Sequence, residues 1–191
     1  QTGQGLNSVA IGYHAGQTGQ GLKSVAIGYL AGRTRQQTMS VAVGLLAGEI
    51  DQSNNSVAIG YLAGRTRQQT MSVAIGSQSG YYLQGSNSVA MGYHAGYSNQ
   101  GSNSVAIGYR AGYADQSANS IILNATNGPL NADSSGVFVK PINPYRVTAD
   151  SSFVLVYDNS SGEIQYSTKT FVIQHPVNEN KYLVHACLEG P

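Results

Sequence analysis

The pentapeptide Ser-Val-Ala-Ile-Gly constrains this chain more than anything else in it. It starts at Ser8 and returns at Ser24, Ser40, Ser56, Ser72, Ser88 and Ser104, always 16 residues apart. Val43 and Met91 replace the isoleucine in the third and sixth copies, and a decayed copy, Ser120-Ile121-Ile122-Leu123, closes the series. A fixed period without insertions determines the architecture. Sixteen residues are too few for a helical-hairpin repeat, which needs roughly 33. Each copy also carries at least two glycines, and each costs about 1 kcal/mol inside a helix. Val9 and Ile11 alternate with Ala10 and Gly12, the period of a strand. The expected fold is all-β: a parallel β-roll, or solenoid, of 16-residue coils. Each coil should have a strand at Ser-Val-Ala-Ile, a turn at glycine, a second strand near Tyr-X-Ala and a polar turn. Parallel strands about 4.8 Å apart would stack eight coils to roughly 38 Å.

In such a stack every sixteenth residue forms a ladder. Val9, Val25, Val41, Val57, Val73, Val89 and Val105 share one strand face with Ile11, Ile27, Val43, Ile59, Ile75, Met91 and Ile107. Apolar and branched, they are expected to fill the dry interior of the coil. Ala10, Ala26, Ala42, Ala58, Ala74, Ala90 and Ala106 then face outward. A position that stays small in every copy suggests close approach of a second chain, so these alanines are assigned to inter-chain contact.

After the first glycine comes a mostly aromatic ladder: Tyr13, Tyr29, Leu45, Tyr61, Ser77, Tyr93, Tyr109. The next position varies most, from His14 to Leu30, Leu46, Leu62, Gln78, His94 and Arg110. Past the small pair lie Gln17, Arg33, Glu49, Arg65, Tyr81, Tyr97 and Tyr113. Glu49 stands between two arginines, which should relieve their repulsion. Candidate surface-recognition residues are Tyr81, Tyr97, Tyr113, Arg33, Arg65, His14 and His94. The tyrosines could stack on sugar rings, although packing between coils or chains is the simpler reading. Arg33, Arg35, Arg65 and Arg67 could meet an acidic glycan or merely form a solvated face.

Three domains are expected: the roll at 1–123, a β-rich neck or connector at 124–168, and the start of a strand-rich C-terminal segment at 169–191. Turn formers fill Asn127-Gly128-Pro129 and Ser134-Ser135-Gly136. Strands are expected at 137–139, 153–157, 163–166, 170–174 and 182–188, with a hairpin turn at 158–162. Neither end has obvious terminating logic, so the sequence reads as a piece of a longer protein.

Several functions find no support in the residues. Charged residues make up 10% of the chain, against about 25% in an average domain, and no basic stripe exists to hold nucleic acid. No apolar run approaches the roughly 18 residues of a membrane span. His14 and His94 share one coil position, and three copies on a threefold axis could hold a metal, but no further ligand accompanies them. His185, Cys187 and Glu189 alternate along one strand without the other parts of a nucleophilic site. The Gly16–Gly21 spacer lacks the lysine of a phosphate loop. Asn54-Asn55-Ser56, Asn124-Ala125-Thr126 and Asn159-Ser160-Ser161 match the glycosylation pattern, common by chance in a chain this rich in Asn and Ser. The expectation is a non-enzymatic protein with no cofactor, metal or catalytic residue.

Asn-Ser-Val-Ala at 7–10, 55–58, 87–90 and 103–106, with the small residues that follow, resembles the head repeats of trimeric autotransporter adhesins. That resemblance covers 1–123 and implies a left-handed parallel β-roll with three chains around one axis. The tail instead resembles fibre and tail-spike-like proteins of phages and large DNA viruses of algae. The matching stretches are 119–125, 136–142, 155–158 with 162–167, and above all 169–176 with 181–191. Together the resemblances imply a homotrimeric surface fibre or spike of a virus or phage, on the virion surface or extracellular, attaching to a host glycan or protein. A bacterial adhesin head of the autotransporter type is the alternative. A polysaccharide-degrading tail spike is a third reading, and it would need paired acids roughly 5–9.5 Å apart; the array offers Glu49, Asp51 and Asp115 at unmatched positions.

Overall fold

The computed structural model describes residues 2–142, 153–168, 170–174 and 182–186. It divides into two compact units, Gln1–Ile142 and Asn143–Pro191. The described residues contain strands and turns but no helix.

The first unit is a parallel β-solenoid. Its main wall is a nine-stranded sheet in sequence order, built from the successive Val-Ala-Ile strands and closed by Ser120–Asn124 and Gly136–Lys140. Register is offset by one period throughout: Val25 pairs with Val41, Ala26 with Ala42 and Ile27 with Val43. The roll does not end at residue 123. Ser120 pairs with Gly136 and Asn124 with Lys140, so a ninth coil follows in the same register, although its sequence no longer shows the motif.

The second wall lies elsewhere than expected. Tyr13-His14-Ala15-Gly16 is turn, and the strand follows it at Thr18–Gln20. Thr18 pairs with Thr2, and bridges continue through Thr34, Ile50 and Thr66 to Tyr82. Corners between the walls need left-handed backbone. His14, Leu30, Leu46, Leu62, Gln78, His94 and Arg110 all have φ between 50° and 57°. That conformation is uncommon for any residue with a Cβ, and it recurs because the corner geometry repeats. Gly60 is stricter still: its φ is +128°, and a Cβ there would lie 2.6 Å from the carbonyl oxygen of Gly76 on the next coil.

Burial reverses the assignment of the two strand faces. Ala26, Ala42, Ala58, Ala74, Ala90 and Ala106 are completely buried, so the expected inter-chain alanines are the interior. The expected intra-coil core faces outward. Val9 is 42% exposed, Ile11 58%, Ile59 39%, Met91 40% and Ile107 38%. Val25, Ile27, Val41, Val43, Val57, Val73, Ile75, Val89 and Val105 are half-buried, stacked along the outside of the wall. Space is the reason. A Cβ added to Gly64 would meet the Cβ of Ala58 at 3.1 Å, and one on Gly80 would meet Ala74 at the same distance. In the repeat coils the corner glycines leave no room beside these alanines for a branched side chain; where the repeat decays, Ile122 takes the place of Ala106 one coil on and is fully buried. Ala10, in the first coil, is half-buried.

Beside these alanines the lumen holds two polar ladders. Ser24, Ser40, Ser56, Ser72, Ser88 and Ser104 are fully buried, and each hydroxyl donates to the carbonyl three residues earlier, as Ser56 does to Ser53 at 2.7 Å. Buried glutamines stand at 20, 36, 52, 68, 84, 100 and 116. Gln52 donates to the Val41 carbonyl at 2.8 Å and to Oε1 of Gln68 at 3.1 Å, and Gln36 and Gln68 repeat this pattern. Burying an amide costs a few kcal/mol unless it is hydrogen-bonded; the coil gives each Nε2 a backbone carbonyl, while Oε1 of Gln20, Gln36, Gln100 and Gln116 is buried without a partner.

In the second unit Phe153–Tyr157 pairs antiparallel with Ile164–Thr168, and Thr170–Gln174 with Tyr182–Ala186. The hairpin turn at 158–162 is present: Gly162 donates to the Asp158 carbonyl at 2.8 Å. Ser160 and Ser161 donate to the Asp158 carboxylate and hold its pKa down to about 2.

Candidate functional site: an apolar wall and an aromatic strip

Two outer surfaces of the roll stand out. The first is the outward face of the nine-stranded sheet, where one ladder runs from Val9 through Val57 and Val105 to Ile121 and Val137, and a second from Ile11 through Ile59 and Ile107 to Leu123 and Val139. Leu123 is 40% exposed and Val139 38%. Parallel sheets are normally covered on both faces; here the inner face meets the lumen, and no described element of the first unit lies over the outer one.

The second surface lies at the corner after the Gly of each motif. Tyr13 stacks on Tyr29 with ring centres 5.2 Å apart, and Tyr93 on Tyr109 at 5.4 Å. A parallel column runs Tyr81, Tyr97, Tyr113 at 4.9 and 5.1 Å. Both columns follow from the period, since equivalent residues on adjacent coils lie one strand spacing apart. His94 sits between them, 3.9 Å from Tyr93 and 4.9 Å from Tyr97. Its Nε2 donates to Oε1 of Gln78, while its Nδ1 is buried without a partner. Burial, then the charge of Arg110, lowers the His94 pKa. One coil on, the Arg110 guanidinium carbon lies 5.3 Å from the Tyr109 ring centre and 5.4 Å from that of Tyr113.

The expected recognition residues are only partly brought together. Tyr81, Tyr97, Tyr113 and His94 form one strip, joined by Arg110 at one end and by Arg65 on Tyr81 at the other. His14 packs edge-on against Tyr13 at the other end of the roll. Arg33 and Arg65 are committed to Glu49, at 2.7 Å each; Glu49 is 2% exposed, so this is an internal clamp across three coils. Arg65 also hydrogen-bonds the Tyr81 hydroxyl, and Arg35 pairs with Asp51 through Nη2 at 2.6 Å. The glycosylation reading fails at Asn124, which is buried with Nδ2 donating to the carbonyls of Tyr109 and Gly128 at 2.7 Å. Asn54 uses its Oδ1 to accept from the Thr38 amide at 3.1 Å. Cys187 and Glu189 lie outside the described residues.

The buried glutamines were missed, although their signal was available: a glutamine stands at every sixteenth position from Gln4 to Gln116. A polar residue that never varies inside a spacer that otherwise does marks a fixed hydrogen-bonding duty.

Among the described residues no group of three His, Cys, Asp or Glu is placed to hold a metal ion, and no helix is long and apolar enough to cross a membrane. The family model of the YadA head domain repeat (2 copies) matches residues 100–111. That match falls inside the roll, on part of the stretch that resembles adhesin heads, and leaves the tail untouched. Neither a curated protein nor a solved structure gives a match.

Proposed function

We propose that this chain is the β-roll section of a homotrimeric, non-enzymatic surface adhesin or fibre, acting outside the cell or on a virion by multivalent contact. The uncovered Val/Ile wall carries the reading. A ladder with a one-coil repeat is best matched by an identical ladder, because branched side chains interdigitate only at equal spacing. Two further copies of the chain supply it, so that three walls enclose one apolar axis. The match to an adhesin head repeat at 100–111 supports the same assembly. Three equivalent outer faces then raise avidity without a tight single site.

The viral or phage form of this reading rests on the tail motifs at 169–176 and 181–191. The bacterial autotransporter form rests on the head repeat. The open, linear surfaces of the roll favour attachment over polysaccharide cleavage in both.

Light scattering on the whole chain tests the assembly. The expected mass is three times the 20.0 kDa chain. A stable monomer at micromolar concentration overturns it. Ile59→Asp with Ile75→Asp, both on the apolar wall, is expected to abolish the trimer, whereas Arg67→Asp on the exposed corner leaves it intact.

A further inference from the structure

We propose that the aromatic strip around Arg110 is a binding site for a linear anionic polysaccharide, laid along the roll with an acidic group on the guanidinium. The inference rests on the surface-attachment reading and names a ligand class for it. Its starting point is the state of the arginines. Arg33, Arg35 and Arg65 each meet a carboxylate within the chain. Arg110 forms no ion pair among the described residues, and its Nε is buried without a hydrogen-bond partner. The rings of Tyr109 and Tyr113 hold it on two sides. A ring face attracts a cation but leaves its charge uncancelled. Arg110 is thus immobilised, positive and lacking a counterion, and little ordering cost remains when an anion arrives.

The surroundings select the rest of the ligand. Tyrosine hydroxyls donate and accept hydrogen bonds, as sugar hydroxyls do. They recur from coil to coil, with the Tyr81, Tyr97 and Tyr113 rings 4.9 and 5.1 Å apart. A row of repeating polar groups on an open face suits a repeating polymer better than a compact molecule, which needs a concave pocket. The charged groups acting on His94 and Tyr97 are Arg110, Arg65 and the neighbouring tyrosines, with no carboxylate among them; Glu49, the carboxylate joined to the column through Arg65, is neutralised by Arg33 and Arg65.

The test immobilises the whole chain and measures binding of polygalacturonate, its carboxyl-reduced neutral form, dextran sulfate and polyglutamate, with light scattering on the same samples. Polygalacturonate or dextran sulfate is expected to bind, and the two arms show whether carboxylate or sulfate is preferred. Arg110→Gln should weaken binding about tenfold or more, the scale of a lost charge-assisted hydrogen bond. Arg67→Gln, exposed on another corner, should not. Equal binding of the neutral polymer, equal binding of polyglutamate, or an unchanged Arg110→Gln overturns the proposal. Absence of binding by a verified trimer fails this inference alone; binding by a protein that proves monomeric upholds it and fails the assembly.

Discussion

Gln52 donates its side-chain amide to Gln68, one coil further on, at 3.1 Å, and to the carbonyl of Val41 across the lumen at 2.8 Å. It accepts in turn from Gln36 at 3.1 Å. One side chain thereby ties three coils and both walls together. Gln52→Leu removes the donor for Val41 and the acceptor for Gln36. Each group left unsatisfied costs about 1–3 kcal/mol. The urea midpoint should fall accordingly, and Gln52→Glu, which keeps the shape but cannot donate, should fall as well. A midpoint unchanged in both variants contradicts the hydrogen-bonded lumen.

The reversed strand faces are tested by one pair of neighbours. Ala58 is fully buried, and the Cβ position on Gly64 is 3.1 Å from its own Cβ. Ala58→Val should cost about 1–3 kcal/mol by overpacking. Ile59→Val changes the outer face and should cost no more than about 0.5–1.5 kcal/mol; Val43 already occupies that position in the third coil. Chemical denaturation of the two variants compares them directly. If alanine pointed outward, Ala58→Val would be the milder change.

Glu49 binds Arg33 through one carboxylate oxygen and Arg65 through the other, at 2.7 Å each. Its side chain is 3% exposed, while the arginines are 34% and 33% exposed. Breaking a fully buried pair costs roughly 3–5 kcal/mol. Glu49→Gln should cost less, about 1–3 kcal/mol, because water reaches the freed guanidinium groups. The loss should persist in 1 M salt, since buried pairs are screened far less than exposed ones. A difference from wild type that disappears in salt would place the clamp on the surface.

His94 gives the fold a pH dependence of definite sign. It is packed by Gln78 from the preceding coil, Tyr93 and Tyr97 from its own, and Arg110 and Tyr113 from the next. Burial and the Arg110 charge lower its pKa below the ordinary 6.5. The unfolded chain therefore binds a proton that the folded chain refuses. The contribution of His94 to stability is fully present above pH 6.5 and declines as pH falls below it. Melting temperatures measured from about pH 7.5 to 5 should decline more steeply for wild type than for His94→Gln, which has no titrating group at that position. Parallel slopes would falsify the assignment.

The sequence by itself determined the coil. The exact recurrence of Ser-Val-Ala-Ile-Gly fixes a parallel register, because every residue must meet its own equivalent one coil away. It also determined the columns: Tyr97 over Tyr81 and Glu49 between Arg33 and Arg65 follow from counting in sixteens. The hairpin at 158–162 was legible from its turn residues. Two things needed the tertiary structure. One was the ninth coil, where Gly136–Lys140 adds to the sheet through backbone hydrogen bonds that require no particular side chains. The other was which strand face is inside. Alternation at Val9-Ala10-Ile11 separates two faces but does not orient them, and hydrophobicity alone points Val and Ile inward. The space inside the repeat coils decides otherwise. Tight left-handed corners leave room there for Ala, Ser and a flat glutamine amide, so Val and Ile of the motif stay on the outer face; only where the repeat decays does a branched residue, Ile122, take the inner position.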